Sequence, residues 1–126
     1  MQKREAIRYF ENTKGILIKS PIEDTRYIDV KYVKTACGAA YLAVLKAIDE
    51  YLISMGVSEK ELPKSLDAYR DAIKKHIAIR NGKLLREFND IYNELHIAGY
   101  YRGLLRSTGT VKEALKTAKD FIEKIK

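Results

Sequence analysis

The stretch from Asp29 to Gly56, DVKYVKTACGAAYLAVLKAIDEYLISMG, decides the fold. Asp29 is a good N-cap and Gly56 a good C-terminal stop, so the segment between them reads as one helix ending near Met55. At 100° per residue, Val33, Ala36, Cys37, Ala40, Tyr41, Val44, Leu45, Ile48, Tyr51, Leu52 and Met55 fill more than half of its circumference. A surface helix shows a narrower apolar stripe, so this one is expected at the centre of a bundle. Ala36, Ala40, Ala43 and Ala47 form a smooth ridge that lets a neighbouring helix come close. Tyr41, Leu45, Ile48 and Leu52 form a bulky ridge that supplies most of the buried area. A charge at Ala40 should cost several kcal/mol, because it would be buried and unpaired.

Helices are expected on both sides of this element. Upstream, Ala6, Tyr9, Phe10, Thr13 and Leu17 recur at 3–4 spacing within residues 2–18, and Ser20-Pro21 ends that run. The link from Ile22 to Ile28 carries charge and Tyr27. Downstream, Ser58 to Glu61 is a capping box opening a short turn before Pro63. Ser65 caps a third helix with Leu66, Tyr69, Ile73, His76 and Ile77 on one face. Asn81-Gly82 reads as its stop or as a kink. A fourth helix runs from about Lys83 toward Arg102, with Leu84, Leu85, Phe88, Ile91, Tyr92 and Leu95 toward the core. Thr110 to Glu113 is a second capping box, opening a fifth helix that buries Val111, Ala114, Leu115, Ala118, Phe121, Ile122 and Ile125. No strand-like alternation of useful length, repeat or low-complexity tract occurs. The expectation is an all-α, mostly up-and-down bundle of about five helices around one long central helix, with residues 1–126 as a single domain.

Composition narrows the function classes. Apolar residues make up 46% of the 126, enough for a real core. The single cysteine, Cys37, has no partner for a disulfide, a zinc cluster or a CxxC motif, and it suits a reducing cytoplasm. The N-terminal residues do not read as a signal peptide, and no window of about 18 apolar residues suggests a membrane span. Neither a phosphate loop nor a metal-binding motif such as HExxH is present, so no cofactor or metal is expected.

The net charge of +7 is uneven. Residues 1–63 carry 10 basic and 9 acidic side chains, a balance of +1, whereas residues 64–126 carry 14 and 8, a balance of +6. The excess gathers at Lys74, Lys75, Arg80, Lys83 and Arg86, then at Arg102 and Arg106. That distribution fits either a solvated surface or an anionic partner such as RNA.

Residues 92–103 concentrate polar aromatics, a histidine, an arginine and two glycines. On a helical wheel His96 lies about 40° from Tyr92, and Tyr100 about 40° further on, with Asn89 between the last two. Asn89, Tyr92, His96 and Tyr100 thus share one strip at the core edge. Such groups satisfy one another in packing, or they line a polar cleft that binds a ligand beside Arg102. Gly99 and Gly103 either permit close helix contact or end the helix. His76 reads as a packed histidine, and Cys37 lacks a partner base. On the opposite side of the central helix, Gly38, Leu42 and Ile53 escape the core sector. Either the link bearing Ile22 and Tyr27 covers them, or they form a homodimer contact.

The run from Tyr27 to Leu45, together with Leu95-His96-Ile97-Ala98-Gly99-Tyr100-Tyr101, resembles a small family of uncharacterised bacterial domains known mainly from Bacteroidetes. The likeness covers nearly the whole chain and implies a fold without an activity. A more distant similarity is to the HEPN superfamily of helical bundles, whose members share an alanine- and tyrosine-rich second helix and a later histidine-bearing segment. That similarity implies dimers, toxin–antitoxin systems, nucleotidyltransferase partners and, in some members, metal-independent RNA cleavage. HEPN nucleases resemble one another in an Arg–polar dipeptide followed four to six residues on by His. Arg80-Asn81 begins such a motif, but Leu85, Arg86 and Glu87 stand where His is needed. The leading expectation is a non-enzymatic, cytoplasmic, homodimeric helical binding module. An RNA-associated protein using the basic surface is the alternative. A divergent ribonuclease built on His96, Tyr100 and Arg102 comes last.

Overall fold

The computed structural model describes residues 3–77 and 82–125. Five α-helices carry the architecture: α1 (Lys3–Leu17), α2 (Val30–Ser54), α3 (Leu66–Ala72), α4 (Lys83–Ile91) and α5 (Thr108–Lys124). α3 runs on into a π-helical turn, Ile73–Ile77, and α4 into a ten-residue π-helical segment, Tyr92–Tyr101. The bundle is all-α apart from a two-residue hairpin, β1 (Ile22–Glu23) and β2 (Arg26–Tyr27).

The central helix forms where its caps place it. The Asp29 carboxylate accepts the Lys31 N–H at 3.3 Å, and Gly56 follows the last turn with φ 100°. All four ridge alanines are buried, as are Val33, Cys37, Tyr41, Val44, Ile48 and Leu52. The buried sector is narrower than the wheel suggests at its C-terminal end. Leu45 and Tyr51 are only half-buried, and Met55 is exposed. Glu50 is buried instead, and its Oε1 has no hydrogen-bond partner among the described residues.

Contacts along α2 give the direction of its neighbours. Glu5 pairs with Lys46 at 3.4 Å, and Ser20, just past α1, accepts the Asp29 N–H at 3.1 Å. α1 is therefore antiparallel to α2. Tyr9, expected in the core, is 41% exposed, whereas Thr13 is fully buried and donates to Phe10 O at 2.6 Å. From Phe88 to Gly103 the next long element passes first Tyr41 and finally Lys34 and Val30, so it also opposes α2. Lys124 near the end of α5 reaches back to Glu87 at 3.0 Å, reversing direction once more. The long helices alternate up and down, and every apolar position expected to be buried in α5 and just past it, Val111 to Ile125, is buried.

Two helix starts follow the sequence and one does not. The Ser58 N–H donates to Glu61 Oε1 at 3.4 Å, and Ser65 Oγ accepts the Ala68 N–H at 3.1 Å. α5, however, starts at Thr108 rather than Thr110. The reason lies outside the helix. Thr25 O accepts the Thr108 N–H at 2.9 Å, and Arg106 O accepts the Tyr27 N–H at 2.8 Å. This pairing satisfies one of the first-turn N–H groups that have no partner within the helix. The hairpin turn holds Asp24 and Thr25 at φ 50° and 63°, the left-handed pair that suits a two-residue β-hairpin. The Ile22–Ile28 link thus packs toward the start of α5 and leaves Leu42 of α2 uncovered, at 55% exposure. Gly82 has φ −62° and begins α4, so it lacks the left-handed conformation of a helix stop.

Candidate functional site

The segment after α4 determines the site. Its bonds run i→i+5, as in Arg102 N–H to Ile97 O at 2.8 Å, so each turn takes more residues than in an α-helix. Side chains four apart, which drift by about 40° on an α-helix, come closer to a single column here. The rings of Tyr92 and His96 stack with centroids 5.3 Å apart, and those of His96 and Tyr100 with centroids 5.7 Å apart. From α2, Tyr41 inserts against this column, 5.8 Å from Tyr92, 5.0 Å from His96 and 6.4 Å from Phe88. Burial pushes the Tyr41 hydroxyl up to about 12, with Tyr92 adding to the rise and Arg70 opposing it.

Two glycines let the column approach α2. A Cβ on Gly99 would lie 2.6 Å from Cys37 Sγ, and a Cβ on Gly38 would lie 2.8 Å from the Tyr100 ring. Gly38 therefore already has its close neighbour within the chain. Gly103, at φ 62°, ends the π segment, and the following Leu104 N–H bonds back to Ala98 O at 2.8 Å. Cys37 is buried, and its thiol is raised to about 12 by burial and by Glu94, which leaves it a poor nucleophile.

The polar strip divides in two. Asn89 Oδ1 accepts from Arg70 Nε at 2.8 Å, while the Arg70 guanidinium lies 5.8 Å over the Tyr92 ring and pairs with Asp67 at 3.3 Å. That half locks α3 onto α4. His96 and Tyr100 instead open on a groove of about 550 Å³ between the π segment and α2. Tyr41, Gly38, Ala39 and Leu42 line its other side, with Thr35 and Leu45 at its ends. Two separate sequence-derived groups, the His96–Tyr100 half of the strip and Gly38 with Leu42, meet there. Arg102 is exposed beyond the groove, and Ile53 lies 11 positions from Leu42, about 16 Å along the helix. Among the described residues no Lys, Arg, Asp, Glu or Cys lines the groove, so its chemistry is apolar and aromatic contact with polar ring edges.

Sequence reasoning missed Tyr41, Thr35, Ala39 and Leu45 as groove walls. The available signal was the recurrence of rings at Phe88, Tyr92, His96 and Tyr100, every fourth residue. The basic residues lie elsewhere. Lys74 and Lys75 sit exposed on the π turn after α3, and Lys83 and Arg86 sit exposed at the start of α4. Arg80, between these pairs, lies outside the described residues, as does Asn81. Among the described residues no three metal-ligating side chains gather, and no helix is long and apolar enough to cross a membrane.

The family described as a domain of unknown function, DUF5618, matches over residues 1–126. A solved structure of a protein of unknown function from Dyadobacter fermentans is similar in fold, with a TM-score of 0.78 and 32% identity. The match covers 97% of this chain and 90% of that one. Neither is described as a HEPN protein. Among curated proteins nothing matches the chain.

Proposed function

Because the chain belongs to DUF5618, a family defined as a domain of unknown function, its role has to be read from its own surface, and we propose that it is a helical interaction module whose groove pairs two copies of the chain. One observation carries this reading: Leu42 projects, 55% exposed, from the rim of an apolar groove floored by small residues of the same helix. Thr35, Gly38, Ala39 and Leu42 follow the 3–4–7 spacing of a single helix face. Tyr100 covers Gly38, so Thr35 and Ala39 make the hollow beside it, and Leu42 makes a knob. A two-fold contact requires such self-complementarity, since each copy must offer both parts. Burying a leucine side chain contributes about 1.5–3 kcal/mol. A stable interface needs on the order of 1,000 Å² in total, and exposed Tyr100, Tyr101 and Leu104 supply further apolar area at the end of the π segment. Gel filtration with light scattering should give a dimer mass for the native chain and a monomer mass for Leu42→Asp, both equally helical. A monomer at every micromolar concentration rules the reading out.

A second reading, association with RNA, is supported by the exposure of Lys74, Lys75 and Arg86, none of which has a carboxylate partner among the described residues. Phosphate contacts would make affinity fall steeply with salt. Filter binding at low salt should then retain RNA, and Lys74→Glu with Lys75→Glu should weaken it. No retention of any RNA at low salt removes this alternative.

A further inference from the structure

A second groove, of about 540 Å³ and sharing no lining residue with the first, lies between α1, the hairpin and α5. Its floor is Phe10, Leu17 and Leu115. Ile18 and Ile22 stand at its edge, 81% and 58% exposed. Four lysines surround this apolar surface: Lys14 from α1 and Lys112, Lys116 and Lys119 from α5. The α5 lysines share one helix face because they are spaced four and then three residues apart.

We propose that this groove binds a small single-chain amphiphile with an anionic head, such as an acyl carboxylate. The apolar floor takes the chain and the lysine rim takes the head. The volume lies within the range of about 300–1,000 Å³ typical of small-molecule sites, which combine apolar walls with a few convergent polar groups. Charge complementarity sets the sign of the ligand. Of the four lysines only Lys116 has a carboxylate partner among the described residues, Asp120 at 3.1 Å. Three lysines without a carboxylate partner among the described residues thus line one groove, their stems along its wall and their charges at its rim adding to one positive field. Tyr27 offers a further donor. Its hydroxyl makes no hydrogen bond within the described residues, and burial raises its pKa, so it stays protonated. Exposed Ile18 and Ile22 are explained by the same occupant, since an acyl chain would cover the apolar edge they leave open.

Titration calorimetry with sodium decanoate, kept below micelle formation, tests the site on the full chain. Saturable binding of one decanoate per chain is expected. The cation with the same chain, decyltrimethylammonium, should bind far more weakly. Lys112→Glu with Lys119→Glu, and separately Ile22→Asp, should each weaken decanoate by about tenfold or more, while circular dichroism shows an intact helical fold. Leu42→Asp, on the other groove, should bind decanoate as the native chain does. The proposal is overturned by the absence of saturable heat, by equal affinity for the cationic amphiphile, or by native affinity in both groove variants. It is equally overturned if the chain binds anionic phospholipid vesicles but not decanoate, which would make the lysine face a membrane-surface contact.

Discussion

At Gly99, a methyl group in place of hydrogen would sit 2.6 Å from Cys37 Sγ and 2.8 Å from its Cβ. Neither atom has free space to yield, because Cys37 is fully buried in the core. Overpacking of this kind costs about 1–3 kcal/mol. Gly99→Ala should therefore lower the urea midpoint, and Cys37→Ala in the same chain should recover part of the loss. Additive losses in the double variant would mean that the two residues do not press on each other. The sequence displays Gly99 and Cys37 plainly, yet nothing in it pairs them. Their meeting depends on how the π segment crosses α2, and a wheel drawn for a single helix holds no information about a neighbour. The destination of Arg70 was hidden for the same reason, since its fork is occupied by Asn89 and Asp67 rather than by solvent.

Among the elements, the caps of α2 and α3 and the periodicity of α5 were legible because each depends on residues within a few positions of the helix itself. Asp29, Ser65 and the apolar rows of α5 act locally. Two features were not. The start of α5 is set by pairing with Thr25 and Tyr27, far away in the chain. The switch from α to π geometry at Tyr92 accompanies the stacking of Tyr92, His96 and Tyr100, and the 100° wheel assumes it away. Tyr41 is thus the side chain around which α4, its π continuation and α2 are arranged, touching Phe88, Tyr92 and His96 at once. Removing a large buried aromatic costs about 3–5 kcal/mol. Tyr41→Ala should fall in that range by denaturant titration and should weaken the ordering of the π segment in amide exchange. Tyr41→Phe, which keeps the ring, should cost much less.

At the scale of the whole molecule, stability depends on pH through two carboxyls whose contribution grows in acid, opposite to the usual sign. Glu50 and Asp49, adjacent on α2, both have raised pKa values, chiefly because burial disfavours their charged forms. Lys46 opposes the shift in both, and the Tyr69 hydroxyl, donating to Asp49 at 2.9 Å, opposes it further. A carboxyl whose folded pKa is raised binds its proton more tightly in the folded state. Its contribution to stability is complete below its unfolded value, 4.5 for Glu50, and is lost as pH rises through the folded value. Melting temperatures taken from pH 4 to 7 should show Glu50→Gln gaining on the native chain as pH rises. A difference between the two that is constant with pH would contradict the assignment. Glu50 is also costly to bury, because its Oε1 has no hydrogen-bond partner among the described residues.

The hairpin that meets the start of α5 has a kinetic side. Thr25 and Thr108 stand 83 positions apart (108 minus 25), whereas α1 with α2, and α4 with α5, are neighbours along the chain. Loop-closure entropy grows with the length of chain enclosed, so contacts between successive helices form at lower cost than this one. The hairpin contact is therefore expected to form after the pairing of successive helices. Its two backbone bonds, Tyr27 N–H to Arg106 O and Thr108 N–H to Thr25 O, act on how slowly the folded molecule comes apart, far more than on how fast it is made.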